Sequence, residues 1–381
     1  MPPFHAMAMT AAARDLEAQG RKVRHLELGQ PSTPAPVAAR HAVVHALTQA
    51  DGLGYTAAAG LPALRERLAQ HDSERSGQVV SAARIMVVAG ASAGFTLAFL
   101  AAFDVGDRVA VVEPGYPCYR NALEALGVHV VRLAVGPDTR WAPTPELLDA
   151  AGPLDGLVLA SPSNPTGTVL DDAALGQLVA WADARQVQLV VDEIYHGLTY
   201  DRTAPSVMAH TDRAIVVNSF SKYFSMTGWR LGWLVAPDML FDAVERLQQN
   251  LYICAPHVSQ VAGLAALDAH DELSVHVGRY AQRRQHMLDG LAAAGITDLA
   301  PADGASYVYA DVGDLLARAG VGDSLTLCRR WLDDLGVACT PGVDFDLERG
   351  GRTVRWSYAG DDADLDAALE LMTDWIGTHC S

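Results

Sequence analysis

Lysine is almost absent from this chain. Of its 28 basic residues only two, Lys22 and Lys222, are lysines and the other 26 are arginines, so the setting of each lysine carries information. Positive charge is scarce too: 28 basic against 45 acidic residues leave a formal net charge of −17, a field that repels a phosphate backbone or an anionic membrane surface. Neither nucleic acid nor a membrane is expected as a partner. Cysteine is sparse and without pattern. Cys118, Cys254, Cys328, Cys339 and Cys380 are odd in number, far apart in sequence and contain no CxxC pair, which excludes a disulfide framework and the usual zinc spacings. No metal is expected, and reduced, mostly packed thiols point to a cytoplasmic address. The opening MPPFHAMAMTAAARD has neither the basic start nor the long apolar stretch of a secretion signal.

Long apolar runs are also lacking, with one apparent exception. Ile85 to Phe103 is free of charge for 19 residues and carries a GxxxG spacing at Gly90 and Gly94, as a membrane span can. Its first five residues are β-type, the glycines and Ser92 interrupt it, and the remainder suits a buried helix, so a strand followed by a helix is expected. Half of the 381 residues are hydrophobic and only 19% charged, a composition that buries a core and excludes disorder. The length predicts one large or two moderate domains.

After a helical opening (Phe4 to Gln19) and the Pro-rich connector GQPSTPAP, short β-branched runs alternate with Ala- and Leu-rich helical segments. Strands are expected at Ile85 to Ala89, Arg108 to Val112, His129 to Ala134, Gly156 to Ala160, Gln188 to Asp192, Ala214 to Ser219 and Arg230 to Val235. Continuous apolar strands alternating with helices predict an α/β fold with a mainly parallel sheet. The last pair is joined by a short polar stretch with no room for a crossover helix, which predicts antiparallel pairing there. A long helical stretch follows Asp238, and the last ninety or so residues read as an α+β part with strands near Ser306 to Asp311, Val337 to Thr340 and Thr353 to Ser357.

The residues that carry chemistry cluster around Lys222, in NSFSKYFSMTGWR. It follows an apolar strand, stands beside Phe, Met and Trp, and is flanked by the hydroxyls of Ser219 and Ser221. Burial lowers the pKa of a lysine and makes its amine a nucleophile toward an aldehyde. Arg230, eight residues on, is a fixed cation suited to a phosphate dianion. In VVDEIYHGL, Asp192 and Tyr195 stand at the C-terminal end of a strand, where open α/β sheets bind ligands. A carboxylate there can keep a pyridine nitrogen protonated, and a phenol can bond a ring oxygen. A cap or a turn accounts for either residue equally well. SPSNPTG has the composition of a loop and offers the Asn164 amide to the same ring oxygen. The AGASAG turn points the amides of Ala91 and Ser92 out of a helix N-terminus, which suits phosphate, although it fits neither GxGxxG nor GxxxxGKS. Tyr116 of EPGYPCY offers an aromatic face or a core tyrosine. Arg355 of TVRWSYA sits in an apolar strand and needs an anion, either a substrate carboxylate or a structural Asp or Glu.

In this order and at these distances, SNPTG, VDEIYHG and SFSKYFSMTGWRLGW resemble the class I and II aminotransferases, pyridoxal phosphate enzymes of fold type I. EAQGRKVRHLELGQP, GYTAAAGLPALRE and TVRWSYA are similar to that family as well, so the resemblance runs through almost the whole chain. It implies a seven-stranded, mainly parallel sheet in a large cofactor domain, residues 40–285, and a smaller α+β domain made of residues 1–39 and 286–381. It further implies that Lys222 holds pyridoxal 5′-phosphate as an internal aldimine and moves a proton between the substrate Cα and the cofactor C4′. Asp192 would pair with the pyridine nitrogen, Asn164 and Tyr195 would hold the ring oxygen, and Tyr116 would stack on the ring. Ala91, Ser92, Ser219, Ser221 and Arg230 would grip the phosphate, with Tyr55 arriving from the partner subunit of a homodimer. Arg355 and the backbone of Gly29, beside Asn164, would bind the substrate α-carboxylate. The turn departs from the family pattern at Ala93, where many relatives carry a longer polar side chain.

The implied activity is transfer of the amino group of an L-amino acid to a 2-oxo acid in two half-reactions. The same chemistry allows a C–S β-lyase. A non-catalytic, cofactor-binding regulator would need a DNA-binding domain, which neither the opening helix nor the −17 charge suggests. Tyr119, Tyr307 and the NLYICAP stretch around Tyr252 are candidates for a substrate side-chain pocket, and their aromatic, uncharged character favours a neutral or aromatic substrate. They are equally well core and interface residues.

Overall fold

The structure, a computed structural model, describes residues 3–49 and 52–380. The strands are β1 (Arg24–His25), β2 (Ile85–Val88), β3 (Arg108–Glu113), β4 (His129–Ala134), β5 (Gly156–Ala160), β6 (Gln188–Asp192), β7 (Ile215–Ser219), β8 (Gly232–Val235), β9 (Tyr307–Asp311), β10 (Val337–Ala338), β11 (Thr340–Pro341) and β12 (Thr353–Ser357). Helices α1 (His5–Ala18), α2 (Val37–Thr48) and α3 (Pro62–Ser76) precede the large sheet. Interleaved with its strands are α4 (Ala91–Ala102), α5 (Pro117–Ala125), α6 (Pro145–Ala150) and α7 (Asp172–Arg185). After it come α8 (Asp238–Leu251), α9 (His257–Ala266), α10 (His270–Ala293), α11 (Gly313–Arg318), α12 (Ser324–Leu335) and α13 (Asp362–His379).

All seven expected strands of the central region form one sheet in the order β2-β8-β7-β6-β5-β3-β4. Every pairing between β3 and β7 is parallel, whereas β8 runs antiparallel to both β7 and β2. The expected antiparallel pair is therefore present. The uncharged stretch from Ile85 is indeed a strand and a helix, β2 and α4. No helix among the described residues is long and apolar enough to cross a membrane.

The sheet is covered on both faces, which is why its strands read as unbroken apolar runs. Along β6, Leu189 and Val191 join a core with Leu64 and Leu68 of α3, Leu175 and Leu178 of α7 and Ala262 of α9. Val190 points the other way, into a core with Phe95, Leu97 and Phe99 of α4 and Val244 of α8. This is the two-residue period of a strand seen from both sides. A third core lies around the antiparallel sheet β11-β12-β9 and the short parallel pair β1-β10, with Trp331, Trp356 and Met372 among its buried members. The long helical stretch after Asp238 resolves into α8, α9 and α10, broken at Pro256 and Ala269. All five cysteines are free thiols, but Cys328 and Cys339, separated in sequence, meet with their sulfurs 3.4 Å apart.

Trp233 of β8 ties this architecture together: its ring packs on Phe220 at 5.2 Å, and its Nε1–H donates to buried Asp72 of α3 at 2.9 Å. Trp233→Ala removes a fully buried ring and leaves that carboxylate without its donor. The variant is expected to lose about 3–5 kcal/mol of stability, measured as a lowered urea midpoint; a midpoint equal to the parent's would contradict this packing.

Candidate active site

The topology assembles the site. In parallel strands all C-terminal ends meet at one edge, and loops there converge on a crevice. Val88 of β2, Glu113 of β3, Ala160 of β5, Asp192 of β6 and Ser219 of β7 end at that edge. The antiparallel strand β8 starts there, and this brings Arg230, two residues before it, to the same place. A cavity of about 240 Å³ opens at this edge, bounded on the far side by Gly29, Tyr307 and Arg355. Of the residues expected to hold the cofactor and the substrate carboxylate, all except Tyr55 line it: Ala91, Ser92, Tyr116, Asn164, Asp192, Tyr195, Ser219, Ser221, Lys222 and Arg230 as well. Tyr55 is 83% exposed on this chain and takes no part in the cavity wall.

At one end is an anion cradle. Helices α7, α12 and α13 are capped by the carboxylates of Asp171, Asp323 and Asp361. At α4 the cap is Gly90, which brings no side chain to the free N–H groups of Ala91 and Ser92. The Arg230 guanidinium occupies the space a Cβ on Gly90 would take, 2.3 Å from Nη2, and Gly90 has φ +85°. Arg230 itself has φ 49° in the left-handed region, a strained conformation that functional sites retain. Ser219 Oγ donates to Ser221 Oγ at 2.9 Å and accepts from the Ser221 N–H at 3.0 Å.

In the middle stands Lys222, half-buried, with Nζ donating to the carbonyl of Gly29 at 2.8 Å and lying 5.8 Å above the Tyr195 ring. Asp192 lies at the base of the cavity. One carboxylate oxygen accepts from the Ile194 N–H at 3.0 Å and the other from the Tyr119 hydroxyl. Burial pushes its carboxyl up to about 6, against the opposing pull of Tyr119, Ile194 and Lys222. Beyond the strand end, burial also raises Glu193 to about 7, while Ser206 Oγ and the Val207 N–H donate to its carboxylate.

Arg355 closes the other end, entirely buried. Nη1 donates to Asn164 Oδ1 at 2.9 Å, and Nη2 to the carbonyl of Glu27 and to Thr340 Oγ1. Its planar group is sandwiched 4.2 Å from the Tyr307 ring and 4.7 Å from Phe345. No carboxylate side chain pairs with it within 4 Å among the described residues, and Nε has no partner. That is the signature of a guanidinium waiting for an anion. Gly29 is required here by space: a Cβ would stand 1.8 Å from the Tyr307 hydroxyl.

Three parts of this site differ from the expectation or exceed it. Tyr119 does not present its hydroxyl to a substrate side chain but to Asp192, and Tyr307 spends its hydroxyl on Tyr195 at 2.9 Å. The spacing of Tyr116 and Tyr119, N-cap and third residue of α5, was the available signal, since residues three apart share a helix face. Tyr252, at the end of α8, lies outside the cavity wall. Conversely, α1 contributes Phe4 and Met7. Its first turn is pinned by a distant residue: both oxygens of Asp344 accept from α1, at 2.8 Å from the His5 N–H and 2.7 Å from that of Ala6. Phe4 is thereby held edge-on to Tyr116 at 6.3 Å.

The donor and acceptor types gathered here fit pyridoxal 5′-phosphate: free amides, two serines and an arginine for a phosphate, an amine for the aldehyde, a carboxylate for a ring nitrogen and an arginine with an unpartnered Nε for a substrate carboxylate. Comparison with known proteins gives the same direction. The family model "Aminotransferase class I and II" matches residues 21–371. The chain is 46% identical over 381 residues to a valine–pyruvate aminotransferase of Mycobacterium tuberculosis, covering 99% of this chain and 97% of that one. An aspartate aminotransferase of Thermotoga maritima is 30% identical over 100% of this chain and 98% of its own. Among solved structures, an aminotransferase from Mycobacterium tuberculosis superposes with a TM-score of 0.95 at 45% identity, covering 99% and 97% of the two chains. Aspartate aminotransferase from Thermus thermophilus with maleate reaches a TM-score of 0.90 at 31% identity, covering 98% and 97%.

The raised pKa of Asp192 has a measurable consequence. Its value rises from 3.8 to about 6 on folding, so the native state penalises the charged form. The penalty is absent below the unfolded value, grows as pH rises from about 4 to about 6 and is constant above that. Asp192→Asn keeps this position neutral. Relative to wild type, the ligand-free variant is expected to gain up to about 3 kcal/mol between about pH 4 and about pH 8, read from urea midpoints. A pH-independent difference between the two proteins would refute the assignment.

Proposed function

Because the chain belongs to the class I and II aminotransferases, a family of pyridoxal 5′-phosphate enzymes, we propose that it transfers the amino group of a neutral aliphatic L-amino acid to a 2-oxo acid at the cavity around Lys222. The transaminase activity and the fold type I architecture follow from the family itself. The residue roles, the cofactor on this chain and the substrate class are the proposal. When bound, the cofactor supplies an electron-withdrawing ring that accepts the electron pair left on the substrate Cα.

The residues divide the remaining work. Ala91, Ser92, Ser219, Ser221 and Arg230 hold the phosphate, and Tyr116 stacks on the ring. Asp192 keeps a proton on the ring nitrogen, since a bound cation offsets the burial that otherwise makes its carboxylate unfavourable. Asn164 and Tyr195 donate to the ring oxygen; with Oδ1 of Asn164 accepting from Arg355, its NH2 group is the free donor. Lys222 holds the cofactor and then serves as the base that takes the proton from the substrate Cα, because its Nζ is the amine nearest the middle of the cavity. Arg355, assisted by the Gly29 backbone, binds the substrate α-carboxylate and orients the Cα bond to be broken.

The observation that carries the substrate class is the count of cations. Arg230 and Arg355 are the only arginines in the cavity wall among the described residues, and the phosphate and the α-carboxylate use both. Much of the remaining wall, Phe4, Ala6, Met7, Leu28, Phe95 and Ile194, is apolar. Among the described residues the wall therefore offers no further arginine for a side-chain carboxylate, and its apolar part suits an aliphatic side chain, in keeping with the name of the valine–pyruvate relative. Valine as donor and pyruvate as acceptor are the proposed pair.

The same reading places a second copy beside the site. Tyr55 is exposed with Leu47 and Val44 (83%, 64% and 62%), an apolar surface that suits a homodimer in which Tyr55 reaches the partner's phosphate. We assign residues 40–285 to the large domain and residues 1–39 with 286–381 to the small one, in keeping with the separate cores. The five free thiols accord with a reducing, cytoplasmic compartment.

The test is a donor screen with product analysis. Valine and pyruvate should give 3-methyl-2-oxobutanoate and alanine in equal amounts, with aspartate far poorer as donor. Pyruvate and ammonia released from a sulfur amino acid without an added 2-oxo acid would instead establish β-elimination. Lys222→Ala should lose the absorbance of the lysine-bound cofactor and at least ~10²-fold in turnover; multiple turnovers at the wild-type rate would overturn the role of Lys222.

A further inference from the structure

Tyr307 makes more contacts with the working parts of the cavity than the proposed chemistry uses. It opens β9, in the sheet that also carries Arg355 on β12, and reaches across to the edge of the large sheet. Its ring lies 4.2 Å beneath the Arg355 guanidinium, and its hydroxyl is 2.9 Å from that of Tyr195, with the two rings edge to face at 82°. It is fully buried, and Gly29 lacks a side chain where its hydroxyl stands. Resting on the cofactor reading above, we infer that Tyr307 is a positioning residue that links the two ends of the site: its ring supports the carboxylate-binding Arg355, and its hydroxyl donates to Tyr195 and so strengthens Tyr195 as the donor to the cofactor ring oxygen.

The direction of the bond follows from donor counting. A phenol has one O–H. If Tyr195 gives its proton to the ring oxygen, its own oxygen is left only to accept, and Tyr307 is the neighbour placed to donate. The surroundings make Tyr307 good at this. Burial alone would raise its phenol, but opposing influences, chiefly the cations of Lys222 and Arg355, hold the group below the usual tyrosine range. The other titratable groups facing it are the phenols of Tyr116, Tyr280 and Tyr358, whose own ionisation Tyr307 makes harder. A more acidic phenol is a stronger donor, and hydrogen bonds in a chain polarise one another. Removal of the Tyr307 hydroxyl therefore weakens the bond that Tyr195 makes to the ring oxygen, while the ring left behind still supports Arg355.

The experiment uses the holoenzyme loaded with pyridoxal 5′-phosphate and follows the absorbance of the bound cofactor against pH. A hydrogen bond to the ring oxygen stabilises its anionic form and lowers the titration midpoint, so Tyr307→Phe is expected to raise that midpoint by about 0.5–1 pH unit. In a Tyr195→Phe background the same substitution should add nothing, because the effect runs through Tyr195. Tyr307→Leu, which also removes the ring, should in addition raise KM for the amino donor several-fold, whereas Tyr307→Phe should leave KM near the parent value. A midpoint unmoved in Tyr307→Phe, or moved equally with and without the Tyr195 hydroxyl, would overturn this inference alone. A wild-type protein that forms no titrating chromophore with the cofactor would overturn the cofactor reading, and this inference with it.

Discussion

The reversal of β8 is the constraint on which the site depends. In a wholly parallel sheet every strand begins at the edge opposite the crevice, and a residue ahead of a strand cannot reach the ligand side. Because β8 is antiparallel to both neighbours, the segment between β7 and β8 stays at one edge, and a single short loop carries Ser219, Ser221, Lys222 and Arg230. A crossover helix there would have carried Arg230 away from α4. The strained backbone of Arg230 and the missing side chain at Gly90 are both local accommodations to this arrangement. The crowded interior beneath them, with Phe220 against both Phe224 and Trp233, keeps so short a loop in one conformation.

Much of this was legible in the sequence because it rests on local rules. Strands buried on both faces are written as apolar runs, and every strand of the large sheet was placed from them. The antiparallel pair followed from loop length. The site motifs were legible because strand ends and helix starts aim side chains predictably. What was hidden depends on long-range packing. The two-residue strand β1 is too short to have a period, although its partner β10 lies within the strand expected near Val337 to Thr340. Tyr119 and Tyr307 were noticed as aromatic candidates, but the partner of a hydroxyl is set by which elements face each other across the cavity, and Asp192 and Tyr195 are 73 and 112 residues away from them. The role of Asp344 lies further still, 339 residues from His5.

Buried charge is the other theme of the molecule. Asp192, Glu193 and Asp72 are all carboxyls raised by burial, at the end of β6 and on the helix packed beneath it. Hydrophobic side chains of similar size would make a more stable fold there. That Asp192 is kept in such a place is physically reasonable only if a cation is to be bound against it. The same reasoning applies to Arg355 with its unpartnered Nε. Stability is given up at the base of the cavity and at its Arg355 end in opposite signs, so a ligand bearing a positive ring nitrogen against the one and a carboxylate against the other relieves both.

The clasp between Asp344 and the first turn of α1 has a practical side. Phe4 stands in the cavity wall, held there by backbone bonds two residues long. A polypeptide joined at the amino terminus is therefore only a few residues along the chain from the cavity wall. The other end of the chain runs out along α13, whose last turn is bound to its own helix through His379 and Trp375 and no residue of which lines the cavity. For purification or immobilisation the carboxyl terminus is the place to attach a handle, and a kinetic constant measured with an amino-terminal extension describes the extension as well as the enzyme.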